Sequence, residues 1–220
     1  GHTANAAYWL DLKNGQFVTS TYYMNDLPQW VKDVNKQMAQ NNQLKKLGVD
    51  VGLSPLTGTL IVDMAIAAIK GEKLGQGNVP DMLCVSFSHT DVIGHKWSPK
   101  STQIDEAYLE LDKDIARFFK SLDELVGKGN YLVFLTADHG AVHNSQYMMD
   151  HHLHAGKWLS EPLRKDLDQY IVNRLGNTKP VILGIIDYRV FLDKRSIQQQ
   201  GLDCQRVKDV IIEFLQQSPH

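Results

Sequence analysis

DMLCVSFSHTD, residues 81–91, and YLVFLTADHG, residues 131–140, follow one pattern: a short, nearly all-apolar run that ends in polar, ligand-type side chains. Runs of this length that are apolar on both faces resemble central strands of a parallel sheet, which helices cover on either side. Asp81 to Phe87 and Tyr131 to Leu135 are therefore predicted to be strands. Between them Ile104, Ala107, Tyr108, Leu111, Ile115, Phe118, Leu122 and Leu125 recur at helical spacing until Gly127 and Gly129. That periodicity predicts one long amphipathic helix from Ser101 onward. Strand, crossover helix and strand make a βαβ unit, whose strands run parallel and whose loops leave on one edge of the sheet. The predicted fold class is α/β with a parallel sheet, and Asp91 and Asp138 are expected to meet at that edge.

On the N-terminal side, Tyr8 to Leu12 and Gln16 to Thr21 flank Lys13-Asn14-Gly15 and predict a hairpin, since Asn-Gly favours a tight turn with positive φ. Leu27 to Met38 carries Pro28 near its start and Trp30, Val31, Val34 and Met38 at helical spacing. Leu60 to Ile69 predicts a buried helix that ends in a left-handed cap at Gly71. Beyond residue 156 the pattern changes. Ser160 is predicted to cap a helix from Glu161 to Leu175, a strand pair is expected within Val181 to Leu192, and a last helix over Asp203 to Gln217. Residues 1–156 are thus expected to form one catalytic-core domain, and residues 157–220 a smaller appended α+β subdomain.

Composition removes several classes of function. The 220 residues hold 25 acidic and 23 basic side chains, with no basic stripe interleaved with aromatics, so nucleic-acid binding is not expected. The longest apolar runs, such as Val181 to Ile186 and Met82 to Phe87, fall far short of the roughly 20 residues that span a bilayer, so no membrane span is predicted. Cys84 and Cys204 are neither a disulfide framework nor a zinc knuckle and are expected to be buried structural thiols. The chain opens Gly1-His2-Thr3 without a charged region followed by an apolar one, so any signal peptide is expected to be removed or to lie outside this sequence.

The polar ends of the two runs carry the chemistry. Asp91-x-x-x-His95 and Asp138-His139 supply two carboxylates and two imidazoles, donors that suit zinc. Four such ligands serve one ion or contribute two to each of a pair, and two metals about 4 Å apart suit phosphoryl transfer. The plainer alternative makes Asp91 a solvated turn residue with an incidental His95, and Asp138-His139-Gly140 a polar turn after a strand. What favours the metal reading is that both segments follow apolar strands of one βαβ unit and repeat the same donors. His143, His151, His152 and His154 are expected to be solvated or transient metal binders on a surface loop. Thr90 is expected to be structural, and His89 either orients a ligand or is an exposed strand-end residue.

FSHTDVIGHKWSP (87–99), DEAYLELDKDIARFFKSLD (105–123) and GNYLVFLTADHGA (129–141) resemble the metal-site half of the alkaline phosphatase superfamily. The similarity is nearest to its bacterial periplasmic members with a Thr nucleophile, a branch that also resembles type I phosphodiesterases and nucleotide pyrophosphatases. It extends over most of the chain, including GHTANAAYW, STYY, LPQWV and KGEKLGQGNVPD. The resemblance implies an alkaline phosphatase-like sandwich, part of which lies here, and two zinc ions, Asp91 and His95 binding one and Asp138 and His139 the other. It also implies a further Asp and a Thr nucleophile upstream, and another His downstream, none of which this sequence supplies. The expected activity of the intact protein is hydrolysis of small phosphate monoesters through a phospho-Thr intermediate, in the periplasm or outside the cell. Two alternatives remain: nucleotide pyrophosphatase or phosphodiesterase activity, and a folded half-site without catalysis of its own.

Overall fold

The computed structural model describes residues 3–156, 159–176 and 178–217. These fall into two compact units, one running to His152 and one starting at Leu153.

The first unit opens with the expected hairpin: β1 (Trp9–Asp11) pairs antiparallel with β2 (Gln16–Val18), Leu10 facing Phe17. Gly15 turns the chain at φ +66, and side-chain oxygens of Asp11 and Asn14 accept from the Lys13 and Gln16 backbone N–H groups at 2.9 Å. Helices α1 (Gln29–Gln40) and α2 (Asn42–Leu47), a 3-10 turn (Gly48–Leu53) and α3 (Leu56–Gly71) follow. Phe17, Val31, Met38, Leu60 and Met64 make the core that joins the hairpin to α1 and α3. The buried Asn35 of α1 clamps Phe17, accepting from its N–H at 2.7 Å and donating to its carbonyl at 2.9 Å.

Helices α4 (His89–Trp97), α5 (Thr102–Leu122), a π-helical turn (Asp123–Gly127) and the short α6 (Ser145–Asp150) complete this unit. The predicted long helix is present as α5, capped by Ser101, whose Oγ accepts from the Ile104 N–H. Ile93 of α4 packs with Ile104 and Ala107 of α5. The chain carrying Asp91 and His95, given no element by the sequence pattern, is helical, which puts the two residues one turn apart on the same side of α4.

One expectation is not met among the described residues, and two others are corrected. Asp81 to Phe87 and Tyr131 to Leu135 make no ladder bonds, and the sheets among the described residues are two antiparallel hairpins, with no parallel sheet. Both runs are largely exposed: Met82 at 88%, Phe134 at 83% and Leu135 at 86%. A strand exists only through neighbours that satisfy its N–H and C=O groups, and the described residues offer these runs none. Cys84, carried by the first run, is consequently exposed rather than buried. Gly71 is not a left-handed cap, since the first positive φ after α3 is at Lys73. Its missing side chain instead makes room for Trp30, whose Cγ would lie 2.5 Å from a β-carbon placed there.

The second unit holds α7 (Ser160–Leu175), β3 (Ile182–Ile186), β4 (Arg189–Leu192), α8 (Lys194–Gln199) and α9 (Cys204–Gln217). Leu167, Ile171, Val181, Val207 and Val210 form a closed core of their own. Ser160 begins α7 as a helical residue, and the capping position before it is Leu159, which makes no side-chain bond. The β3–β4 turn places Asp187 and Tyr188 at φ +49 and +61, the pair of left-handed residues that a two-residue hairpin turn requires. No helix among the described residues is long and apolar enough to cross a membrane.

Candidate metal centre

Asp91 and His95 project from α4 as an exposed pair, His95 Nε2 lying 3.4 Å from Asp91 Oδ2. Asp138 and His139 form the second pair, with His139 Nε2 3.6 Å from Asp138 Oδ2. The Asp138 carboxylate also accepts from the His139 backbone N–H at 3.1 Å, a turn that holds the two residues together. His139 Nδ1 lies 2.8 Å from the Gly140 carbonyl. A carbonyl can only accept, so Nδ1 carries a proton, and a metal ion would take Nε2 in place of the proton that the raised basicity favours there.

This carbonyl contact, with the Asp138 and then the Asp91 carboxylate, raises the His139 imidazole above its ordinary titration range. Among the described residues no three His, Cys, Asp or Glu side chains gather into a ready metal cage. Zinc's preference for four ligands is therefore half met by each pair. Donor type, the oriented Nδ1 proton and open side chains fit a divalent ion that draws further ligands from elsewhere.

The neighbouring residues separate into distinct parts. Thr90 donates to the Phe87 carbonyl at 3.1 Å, a local bond that suits a structural role. His89 is buried at 3% exposure, which removes the exposed strand-end reading. Burial pushes its imidazole below the usual range, opposed by the nearby Asp114. Asp114 is itself buried, accepting from Thr59 Oγ1 at 2.8 Å and from Arg117 at 3.1 Å.

His143 is half-buried and His151 is exposed, but both rings are held in place. They stack on either side of Tyr147, ring centroids 4.3 and 4.0 Å apart, along the unforeseen helix α6. His143 Nδ1 also meets Ser98 Oγ at 3.3 Å, tying α6 to the end of α4. The signal for this lay in the sequence: Asn144 before Ser145 caps α6 through the Tyr147 N–H, and 143, 147 and 151 are spaced by four. His152 and His154 are exposed.

With the geometry in place, the similarities to known proteins gain meaning. Alkaline phosphatase PafA of Elizabethkingia meningoseptica is 32% identical over 263 aligned residues, covering 100% of this chain and 48% of that protein. A crystal structure of wild-type PafA superposes with a TM-score of 0.83 at 30% identity, over 100% of this chain and 50% of that one. A protein of Myroides odoratus named calcium-transporting ATPase is 35% identical over 98% of this chain and 47% of its own length. Alkaline phosphatase PhoV of Synechococcus elongatus is 34% identical over 98% of this chain and 46% of its own. The chain thus spans about half the length of the curated relatives it matches. Its fold is of the alkaline phosphatase type. Because the model of type I phosphodiesterases and nucleotide pyrophosphatases matches residues 1–220, from the first residue to the last, the chain belongs to that family.

Proposed function

We propose that the complete protein carrying this chain hydrolyses small phosphate monoesters with the help of two zinc ions, and that this chain contributes Asp91 and His95 to one and Asp138 and His139 to the other. The observation that carries the reading is the pair of carboxylate–imidazole contacts, at 3.4 and 3.6 Å, each at the end of an apolar run. Alkaline phosphatases among the relatives support the substrate class. Bound zinc supplies Lewis-acid stabilisation of phosphoryl oxygens and lowers the pKa of an attacking oxygen.

The chain's own residues prepare for that in three ways. Asp91 and Asp138 bring negative charge that balances a divalent cation. The Gly140 carbonyl holds the His139 ring by Nδ1, which leaves Nε2 as the nitrogen to ligate. Helix α4 sets Asp91 and His95 one turn apart on a rigid scaffold. A Thr nucleophile and the remaining ligands come, on this reading, from sequence beyond these 220 residues, so the chain by itself turns over no substrate. A periplasmic or secreted location belongs to the same proposal.

The family model's description favours a second reading, in which the substrates are nucleotide diesters or pyrophosphates. Steady-state rates of the complete protein on matched mono- and diesters separate the two. For either substrate, Asp91→Ala and Asp138→Ala are each expected to remove bound zinc and to lower kcat/KM by at least about 100-fold, the scale of losing a metal-site residue. Wild-type zinc content and activity in both variants would refute the assignment.

A further inference from the structure

Helix α4 presents two pairs of side chains four residues apart: Asp91 and His95 exposed, His89 and Ile93 buried. The pairs are offset by two residues, about 200° around a helix, so the buried pair fixes the direction in which the exposed pair points. Ile93 is ordinary apolar packing against Ile104 and Ala107. His89 is not, because it is 3% exposed and neither ring nitrogen has a hydrogen-bond partner among the described residues. A buried polar ring without partners is an exception that calls for a reason.

The ring lies against Gly58 of α3. A β-carbon at Gly58 would come within 3.0 Å of His89 Cε1, 3.1 Å of its Nε2 and 3.4 Å of Asp114 Oδ2. The notch therefore has a bare helix backbone for its floor, with the Asp114 carboxylate beside the same stretch of backbone. That carboxylate is rigid, held by Thr59 and by Arg117, which also pairs with Asp63 at 2.6 Å. An apolar side chain of the same size would fill the notch yet set a greasy surface against Asp114.

We propose that His89 is a positioning residue: seated against Gly58 in the notch beside Asp114, it sets the rotation of α4 and so the aim of Asp91 and His95. The consequence for metal rests on the zinc reading above, while the anchoring of α4 does not.

The test uses the complete protein with His89→Phe, His89→Gln, Gly58→Ala and, as reference, Asp91→Ala. Two quantities are read: hydrogen exchange of the α4 amides in zinc-free protein, and zinc affinity by competition with a chromophoric chelator. His89→Phe and Gly58→Ala are expected to speed α4 exchange by about tenfold and to weaken zinc binding by about tenfold. His89→Gln, which keeps a polar end, restores most of both, and α7 in the second unit exchanges as before. Gly58→Ala is the sharper variant, because Ala favours a helix more than Gly does, so any loss comes from the notch rather than from α3. Wild-type α4 exchange in both variants overturns the proposal. Faster exchange with unchanged zinc affinity, while Asp91→Ala loses zinc, overturns the link from anchoring to aim. If Asp91→Ala itself keeps its zinc, the metal reading falls and the exchange measurement alone decides the anchoring.

Discussion

At Gly71 the absence of one carbon decides how two helices meet. The Trp30 ring lies 2.5 Å from where a β-carbon would be, and its indole N–H donates to Glu72 at 2.8 Å. Gly71→Ala gains up to about 1 kcal/mol of helix propensity but forces an overpacked contact worth about 1–3 kcal/mol. A net loss of stability is expected, read as a lower urea midpoint for the first unit. Asp168 offers a pH test. Burial pushes its carboxyl up, and Arg164, 3.0 Å away, opposes this without cancelling it. The fold therefore favours the protonated form. Its stabilising contribution is full below the unfolded carboxylate range and is lost as pH rises through the raised value. Asp168→Asn is expected to flatten the pH dependence of the second unit's melting temperature just above that range. At this scale Asp91, His95, Asp138 and His139 became candidates through their position after two apolar runs, residue type alone leaving a polar turn as an equal reading. His89 was not, because burial of a polar ring depends on Gly58 and Asp114, which lie 31 and 25 positions away.

Elements whose reason is local were read well. The β1–β2 hairpin follows from Asn14-Gly15, and α5 follows from its apolar stripe and its Ser101 cap. The two apolar runs show the opposite case. Their residues predict strands, yet strands are made by partners, and these runs have none among the described residues. Phe134, at 83% exposure, can separate a bare run from a covered one. In the 220-residue chain Phe134→Asp is expected to leave the melting transition within about 0.5 kcal/mol, as for other surface changes, and to reduce binding of a hydrophobic dye. In the complete protein, if the remaining sequence covers the run, the same change costs roughly 3–5 kcal/mol. Equal, small effects in both would show that the run stays exposed. Helix α4 was not predicted because its apolar content is slight: Ile93 and His89 are its buried side chains, and tertiary contact with α3 and α5 supplies the rest.

On the scale of the whole molecule, the two units have separate cores. Phe17, Val31 and Leu60 belong to one, Leu167, Ile171 and Val207 to the other. Truncating a fully buried leucine costs about 2–5 kcal/mol, and mutations without shared contacts add independently. Leu167→Ala is accordingly expected to lower the unfolding midpoint of the second unit, followed by hydrogen exchange in α7 and α9, and to leave protection in α3 and α5 unchanged. A matching loss of protection in α3 would mean that the chain unfolds as one body.

Spacing and turn residues sufficed to place both hairpins and the helices α1, α3, α5 and α9 from the order of residues alone, because each of these depends on neighbours within a few positions. Only the folded structure decided that Asp91 and His95 ride on a helix, that His89 is buried beneath them, that Gly71 yields to Trp30 and that the apolar runs stand unpaired. Those outcomes turn on groups far apart in sequence competing for one volume or one hydrogen bond, and a linear pattern carries no record of which of them arrives.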